Sequence, residues 1–284
     1  MGYKLLLVDG HNLFFRAFFG IPARIPGRDG RPIHGVVGFI GTLLKTLARF
    51  EITHLIAIFD HENGSFRNQV DENYKRRIDE RLDRVDEDPF CQLELIYRAL
   101  DHVGWRYTET PGLEADDLIA AYVRRYESEA EAIILSSDSD LLQLVKPGVS
   151  VFSPAGKNSI LYGPAEVEAK FGVKPQFMPD LKALTGDKTD NLSGVPGIGT
   201  KRASELIRHR GGVSEIFAGL DAINSRTIVE SLLAHRERVF HNLSMIRLDH
   251  EAALPFDLSE LAVSPESWQQ KTMEVLRAVG IAAE

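Results

Sequence analysis

Three short apolar runs in this chain stop at acids: KLLLVD at residues 4–9, HLIAIFD at 54–60 and AIILSSDSD at 132–140. Short runs rich in Leu, Ile and Val suit strands buried on both faces of a parallel sheet. The expected strands cover residues 3–9, 53–60, 132–136 and 149–152. Helical spacing of apolar residues fills the intervals at 34–50, 89–103 and 113–126; in the first, Val36, Val37, Ile40, Leu43, Leu44 and Leu47 recur on one face. Strands alternating with helices of this length make an α/β fold, a mostly parallel sheet with helices on both faces. In such sheets ligands bind beyond the carboxyl ends of the strands, where the strand order reverses. The acids stand at that rim.

Nine carboxylates lie in five segments: Asp9; Asp60; Glu114, Asp116 and Asp117 in GLEADD; Asp138 and Asp140; and Asp187 and Asp190 in TGDKTDN. Gathered at one rim they would repel one another, and hard divalent cations with oxygen ligands are the usual answer. Glu114 and Asp117, three apart at a helix start, share a face, with Asp116 beside them. Asp138 and Asp140, two apart at a strand end, point the same way while the backbone stays extended. One Asp in a first helical turn is most often a cap or dipole partner. Five such clusters together point to two or more Mg²⁺ or Mn²⁺ ions. Two ions about 3.5–4 Å apart can activate water, stabilise a leaving oxygen and neutralise charge at phosphorus.

A net charge of −8 argues at first against nucleic acid, but the nine acids exceed it and bound ions would cancel much of it. Locally the chain is basic at Lys75, Arg76, Arg77 and Arg81, and again at Lys201 and Arg202. The single cysteine, Cys91, excludes an internal disulfide and argues against structural zinc. The apolar runs are too short to span a bilayer, and Asp9 ends the first too early for a signal peptide. A cytoplasmic monomer with no membrane partner is expected.

From about residue 164 the pattern becomes helical only, at 164–171, 176–184, 200–209 and 225–242. The expected domains are therefore an α/β core, 1–163, and a helical domain, 164–284. Within the first, the charged connection at about 61–90 is too long for a silent loop, and its composition suits an exposed helix or helical arch. Within the second, GVPGIGTKRA at 194–203 differs from a P-loop: Lys201 follows Thr200 instead of preceding it, and no strand leads in. It reads as a tight hairpin of Gly194, Val195, Gly197, Ile198 and Gly199 that opens a helix. Backbone N–H groups there make a phosphate cradle. Lys201 and Arg202 add non-specific affinity for a nucleic-acid backbone.

VDGHN, the FD of Asp60, SFR followed by YK (Ser65 to Lys75), GLEADD, SSDSDLLQL, ALTGDKTDN and GVPGIGTKRA occur in the order found in the 5′-nuclease family. That family comprises the 5′→3′ exonuclease domain of bacterial DNA polymerase I, stand-alone bacterial and phage 5′ nucleases, and flap endonucleases. The chain resembles it from residue 3 to about residue 250. The resemblance implies a PIN-like core, a helical arch and a helix–three-turn–helix DNA-binding domain. It also implies a metal-dependent 5′→3′ exonuclease and flap endonuclease, acting on branched, nicked or 5′-flap DNA near single-strand/double-strand junctions in primer removal and repair. On the same ground Asp9, Asp60, Glu114 and Asp116 hold one ion. Asp138, Asp140 and Asp190 hold the second, with Asp117 and Asp187 contributing directly or through water. Tyr74 resembles a stacking platform near the scissile nucleotide. Lys75 would stabilise transition-state charge, and Arg67 is a second phosphate contact. Arg76, Arg77 and Arg81 continue the arch's DNA contacts, and the hairpin resembles one that binds duplex DNA around a K⁺ ion.

Other readings remain open on residues alone. Asp138-Ser-Asp140 after a strand resembles the haloacid dehalogenase phosphatases, but that family has its Asp-x-Asp on the first strand, which here ends in a lone Asp9. A PIN-like ribonuclease shares the acid rim without needing the hairpin. A junction-binding module would use the hairpin without needing nine acids.

Overall fold

The computed structural model describes residues 2–27, 30–61, 67, 70, 71 and 89–264. Six strands form one sheet: β1 (Tyr3–Asp9), β2 (His54–Phe59), β3 (Arg106–Glu109), β4 (Ala130–Leu135), β5 (Val149–Ser153) and β6 (Ile160–Tyr162). Their order is β3-β2-β1-β4-β5-β6, parallel throughout except for the antiparallel β5–β6 pair. The order reverses between β1 and β4, which puts the ligand-binding switch point at the ends of those two strands.

The two-residue period of the pleat explains why β1 is apolar at successive positions. Leu5 and Leu7 join Ile56, Ile58 and Ile134 in one core, while Leu6 and Val8 join Leu55, Ala57 and Leu135 in the other. The second core is closed by α1 (Gly10–Gly20), α2 (His34–Phe50) and α3 (Leu93–Val103). Helix α1 follows Asp9 without a loop. Gly10 permits this, since a Cβ there would lie 2.4 Å from the Phe59 ring.

The first core is covered by α4 (Ala115–Tyr126) and continues into the helical half. That half holds α5 (Pro164–Phe171), α6 (Met178–Thr185), a small β7 (Gly186–Asp187) and β8 (Leu192–Ser193) hairpin, and α7 (Thr200–Arg210). It also holds α8 (Val213–Ala218), α9 (Arg226–Ala234) and α10 (Arg236–Ile246). Leu181, Leu184, Ala203, Ile207 and Leu243 share one continuous core with Leu5 and Leu118. This shared core fixes the 194–203 turn relative to the strand ends.

Helix α1, strands β3 and β6, and helix α8 have no counterpart in the sequence reading. The helix expected at 225–242 is two helices, broken at His235. Most of the expected arch, including Tyr74, Lys75, Arg76, Arg77 and Arg81, lies outside the described residues. Among the described residues no helix is long and apolar enough to cross a membrane.

Candidate metal centre

Asp9 is the last residue of β1 and the N-cap of α1. One carboxylate oxygen accepts the Asn12 N–H (3.2 Å), and the other accepts the Ser136 hydroxyl (2.7 Å) from just beyond β4. Ser136 Oγ in turn accepts the Asp138 N–H (2.9 Å), and Asp138 accepts the Asp140 N–H (2.8 Å). The SSDSD segment is thus wound against β1 by its own short side chains. From the end of β2, Asp60 accepts the Ala115 N–H (2.8 Å) and so caps the first turn of α4 across space. Its own N–H donates to Nδ1 of buried His11 (2.9 Å). Asp9, Asp60, Asp138 and the Glu114–Asp116 turn therefore meet at the switch point.

Burial, reinforced by the Asp60 carboxylate and more weakly by Asp138, pushes the Asp9 carboxyl up to about 7, against the Ser136 hydrogen bond. Among the described residues no cation offsets this at Asp9; the cation of this half, Arg67, lies against Glu114 at 3.5 Å. The His11 imidazole supplies no positive charge, since burial lowers its affinity for a proton.

The other half comes from the helical region. Carboxylate oxygens of Asp140, Asp187 and Asp190 lie within 4.8 Å of one another, a spacing that suits a shared cation. Lys182 of α6 reaches into the same place. Its ammonium pairs with Asp187 (2.6 Å) and lies against Oδ1 of Asp140 without the alignment of a hydrogen bond. Although burial opposes its charge, Asp140, Asp138 and Asp187 hold the ammonium firmly protonated. Lys182 in turn keeps Asp187 below the usual carboxylate range despite burial. For Asp140 burial wins over Lys182, and its carboxyl is raised to about 6. Sequence reasoning did not single out Lys182. It stands five residues before Asp187, off any helical face shared with an acid, and only the turn at 186–187 brings the two together. Nor did Ser136 and His11 stand out, since each acts by contact with an acid far along the chain, whereas Asn12 acts through its backbone N–H on Asp9, three positions away.

Two expected site residues are corrected. Arg67 was assigned to DNA phosphate and Asp117 to a metal ion, but they are 1% and 0% exposed. They form a bidentate pair, with Nη1–Oδ2 at 2.6 Å and Nη2–Oδ1 at 2.9 Å. A guanidinium buried in such a fork offers no face to a phosphate, and it occupies both oxygens of the carboxylate. Asp187, expected at the margin, stands in the compact trio with Asp140 and Asp190, and Asp138 lies between the halves, its charge acting on both Asp9 and Lys182.

At the 194–203 turn, Val195 and Ile198 are corrected as well. Both side chains are buried, and their N–H groups donate to Leu184 O (2.8 Å) and Val195 O (3.0 Å). They anchor the turn from below. Gly194 is required for close approach, since a Cβ there would lie 2.3 Å from the Thr185 backbone. Gly197, Gly199, Lys201 and Arg202 are exposed around a shallow concavity, and Arg202 Nη1 donates to Gly197 O (2.6 Å).

Residues 4–172 match the family model for the 5′-3′ exonuclease N-terminal resolvase-like domain, and residues 173–269 match that for the 5′-3′ exonuclease C-terminal SAM fold. The thermostable DNA polymerase I of Thermus thermophilus is 36% identical over 258 residues, which are 90% of this chain and 30% of that protein. This chain thus spans under a third of that relative's length. The D15 protein of bacteriophage T5, co-crystallised with metal ions, superposes with a TM-score of 0.72 at 25% identity, over 97% of this chain and 99% of that one. The D15 flap endonuclease in complex with DNA and metal ions has the same fold, with a TM-score of 0.70 at 24% identity and the same coverage. With family models matching both its sheet and its helical half, the chain belongs to the 5′-3′ exonuclease family.

Proposed function

We propose that this chain is a divalent-metal-dependent 5′ nuclease, a 5′→3′ exonuclease and structure-specific flap endonuclease that hydrolyses DNA phosphodiesters near single-strand/double-strand junctions. The observation that carries this reading is the convergence of acids from β1, β2, β4, α4 and the 187–190 turn on one switch point, on the same core as an exposed Gly-rich turn. The rim fits divalent ions by its donor set: oxygen ligands only, closely spaced, with more negative charge than Lys182 can balance. Asp9, Asp60, Glu114 and Asp116 would hold one ion, and Asp140, Asp187 and Asp190, with Asp138 beside them, the other. When bound, two such ions supply an activated water and neutralise charge at phosphorus.

Mg²⁺ is the ion we assign, with Mn²⁺ as a substitute, because hard oxygen ligands suit both. Ser136, Asn12 and the Ala115 N–H orient Asp9 and Asp60 before any ion arrives. At the turn, Lys201 and Arg202 hold the duplex backbone by charge, so affinity should fall steeply with salt. A K⁺ ion there would share the Gly197 carbonyl with Arg202. Tyr74 and Lys75, in the segment of the expected arch, would stack on and neutralise the scissile nucleotide. The corresponding setting is the cytoplasm, in primer removal and repair.

Incubation with a 5′-labelled flap DNA, with and without Mg²⁺ and beside Asp138→Ala, tests the reading. Release of a short labelled product only with Mg²⁺ and only by the unsubstituted protein is expected. Retained flap binding without cleavage would make the chain a junction-binding module, and preference for RNA would make it a ribonuclease.

A further inference from the structure

Arg67 and Asp117 are the most deeply buried charges near the rim, and their contacts reach three separate parts of the molecule. Beyond the fork to Asp117, Arg67 Nε donates to Met245 O (2.7 Å) and Nη2 to Arg247 O (3.1 Å). These carbonyls end α10, where the helix has no further N–H groups to offer and a cation is favoured. Arg67 Nη1 also lies 3.5 Å from Glu114 Oε1. Asp117 Oδ1 accepts the Asp249 N–H (2.8 Å), from the chain leaving α10. Four residues after Arg67, Asp71 pairs with His241 of α10 at 3.5 Å.

A buried pair of this kind is a poor device for stability alone. Desolvation cancels much of its attraction, and apolar residues of similar volume are often as stable. What it does supply is geometry, because a planar guanidinium with five donors fixes every group it touches. The groups here are the first turn of α4, which carries Glu114 and Asp116, and the last turn of α10.

We propose that Arg67 and Asp117 form a positioning joint that locks the Glu114–Asp116 end of the rim against the C-terminus of α10 and thereby sets the rim's affinity for a divalent ion. The proposal rests on the reading of the rim as an ion site. It goes beyond that reading in giving Asp117, which stands outside both ligand sets, a positioning role. Partners that orient metal ligands typically contribute 10–100-fold to metal affinity. Arg67 touches Glu114 directly, so its removal should weaken binding although no acid is lost.

The test is calorimetric titration of Mn²⁺ into the DNA-free protein, for wild type, Arg67→Lys, Asp117→Asn and the double variant, each well below its melting temperature. The joint predicts about 10-fold weaker binding in each single variant. It predicts no further loss in the double, because either change breaks the same element. Weakening by Asp117→Asn alone, with Arg67→Lys unchanged or tighter, would make Asp117 a ligand and overturn the joint. Additive losses would overturn it too, as would lower melting temperatures with unchanged titrations. Should Arg67→Lys fail to fold, Arg67→Met combined with Asp117→Leu fills the same space without charge and must show the same 10-fold weakening. Wild-type protein that takes up no Mn²⁺ would sink the ion site itself and the joint with it, whereas binding unmoved by the variants sinks only the joint.

Discussion

At one half of the acid rim Asp9 is met by neutral donors, the Ser136 hydroxyl and the Asn12 amide; at the other, Asp140 and Asp187 are met by the ammonium of Lys182. The consequences diverge. At Asp9, where neutral donors stand in place of a cation, burial and then the Asp60 charge favour the proton, and the carboxyl rises to about 7. The second half keeps Asp187 ionised because a cation is built in. Each half shows a different response to the same crowding, and each leaves a different task for an incoming ion. At Asp9 an ion would displace a proton; at Asp140 and Asp187 it would compete with Lys182.

The largest consequence is a pH dependence confined to the metal-free protein. Below pH 3.8 Asp9 is protonated whether the chain is folded or not; between 3.8 and about 7 only the folded form keeps the proton. The folded state binds more protons in that window, so metal-free stability falls as pH rises through it. Asp140, raised to about 6, adds in the same direction. The Asp9 contribution is on the order of 4 kcal/mol. The charges of Asp60 and, more weakly, Asp138 act on Asp9 in the same direction as its burial. Thermal melts in chelator across this range should show the decline, saturating Mg²⁺ should remove it, and Asp9→Asn should flatten it. A metal-free protein equally stable at both ends of the window would contradict the contrast.

Replacing Lys182 strikes the other half. Lys182→Met leaves buried Asp140 and half-buried Asp187 without their cation, and loss of one partner of such a largely buried pair costs about 3 kcal/mol. The melting temperature in chelator should drop, and the deficit should shrink as Mn²⁺ is added. A deficit that Mn²⁺ does not shrink would mean that Lys182 and the ion do not share a site. The smallest effect calibrates the rest. Arg226 pairs with Glu230 at 2.7 Å on the exposed face of α9. Arg226→Ala should change stability by no more than ~0.5 kcal/mol, because water screens what it does not screen at Lys182.

Much of this rim was legible in the sequence because strands buried on both faces leave a plain signal. Leu5 to Val8 are apolar without interruption, and the acid that follows marks the strand end. Asp9, Asp60, Asp138 and Asp140 lie at the ends of such strands or just beyond. Helix α2 was legible by its spacing, whereas α1 was hidden: Leu13, Phe14, Phe15, Ala17, Phe18 and Phe19 spread apolar surface around most of its circumference, and its start is set by the Asp9 cap and the fit of Gly10 against Phe59. The role of Asp117 was illegible for a related reason. In sequence it is one of three acids in GLEADD; only the fold brings Arg67, fifty positions away, into a fork with it and leaves Glu114 and Asp116 at the rim. Lys182 needed the 186–187 turn. Local pattern reveals strands and candidate acids, but which acids face an ion and which face an arginine is decided by contacts distant in sequence.

The most direct test of two differently built halves is anomalous diffraction from crystals soaked in Mn²⁺. The account predicts two peaks, one beside Asp9 and Asp60 and one among Asp140, Asp187 and Asp190, with the Lys182 ammonium moved from the second. A single peak, or Mn²⁺ bound with Lys182 still against Asp140 and Asp187, would contradict it.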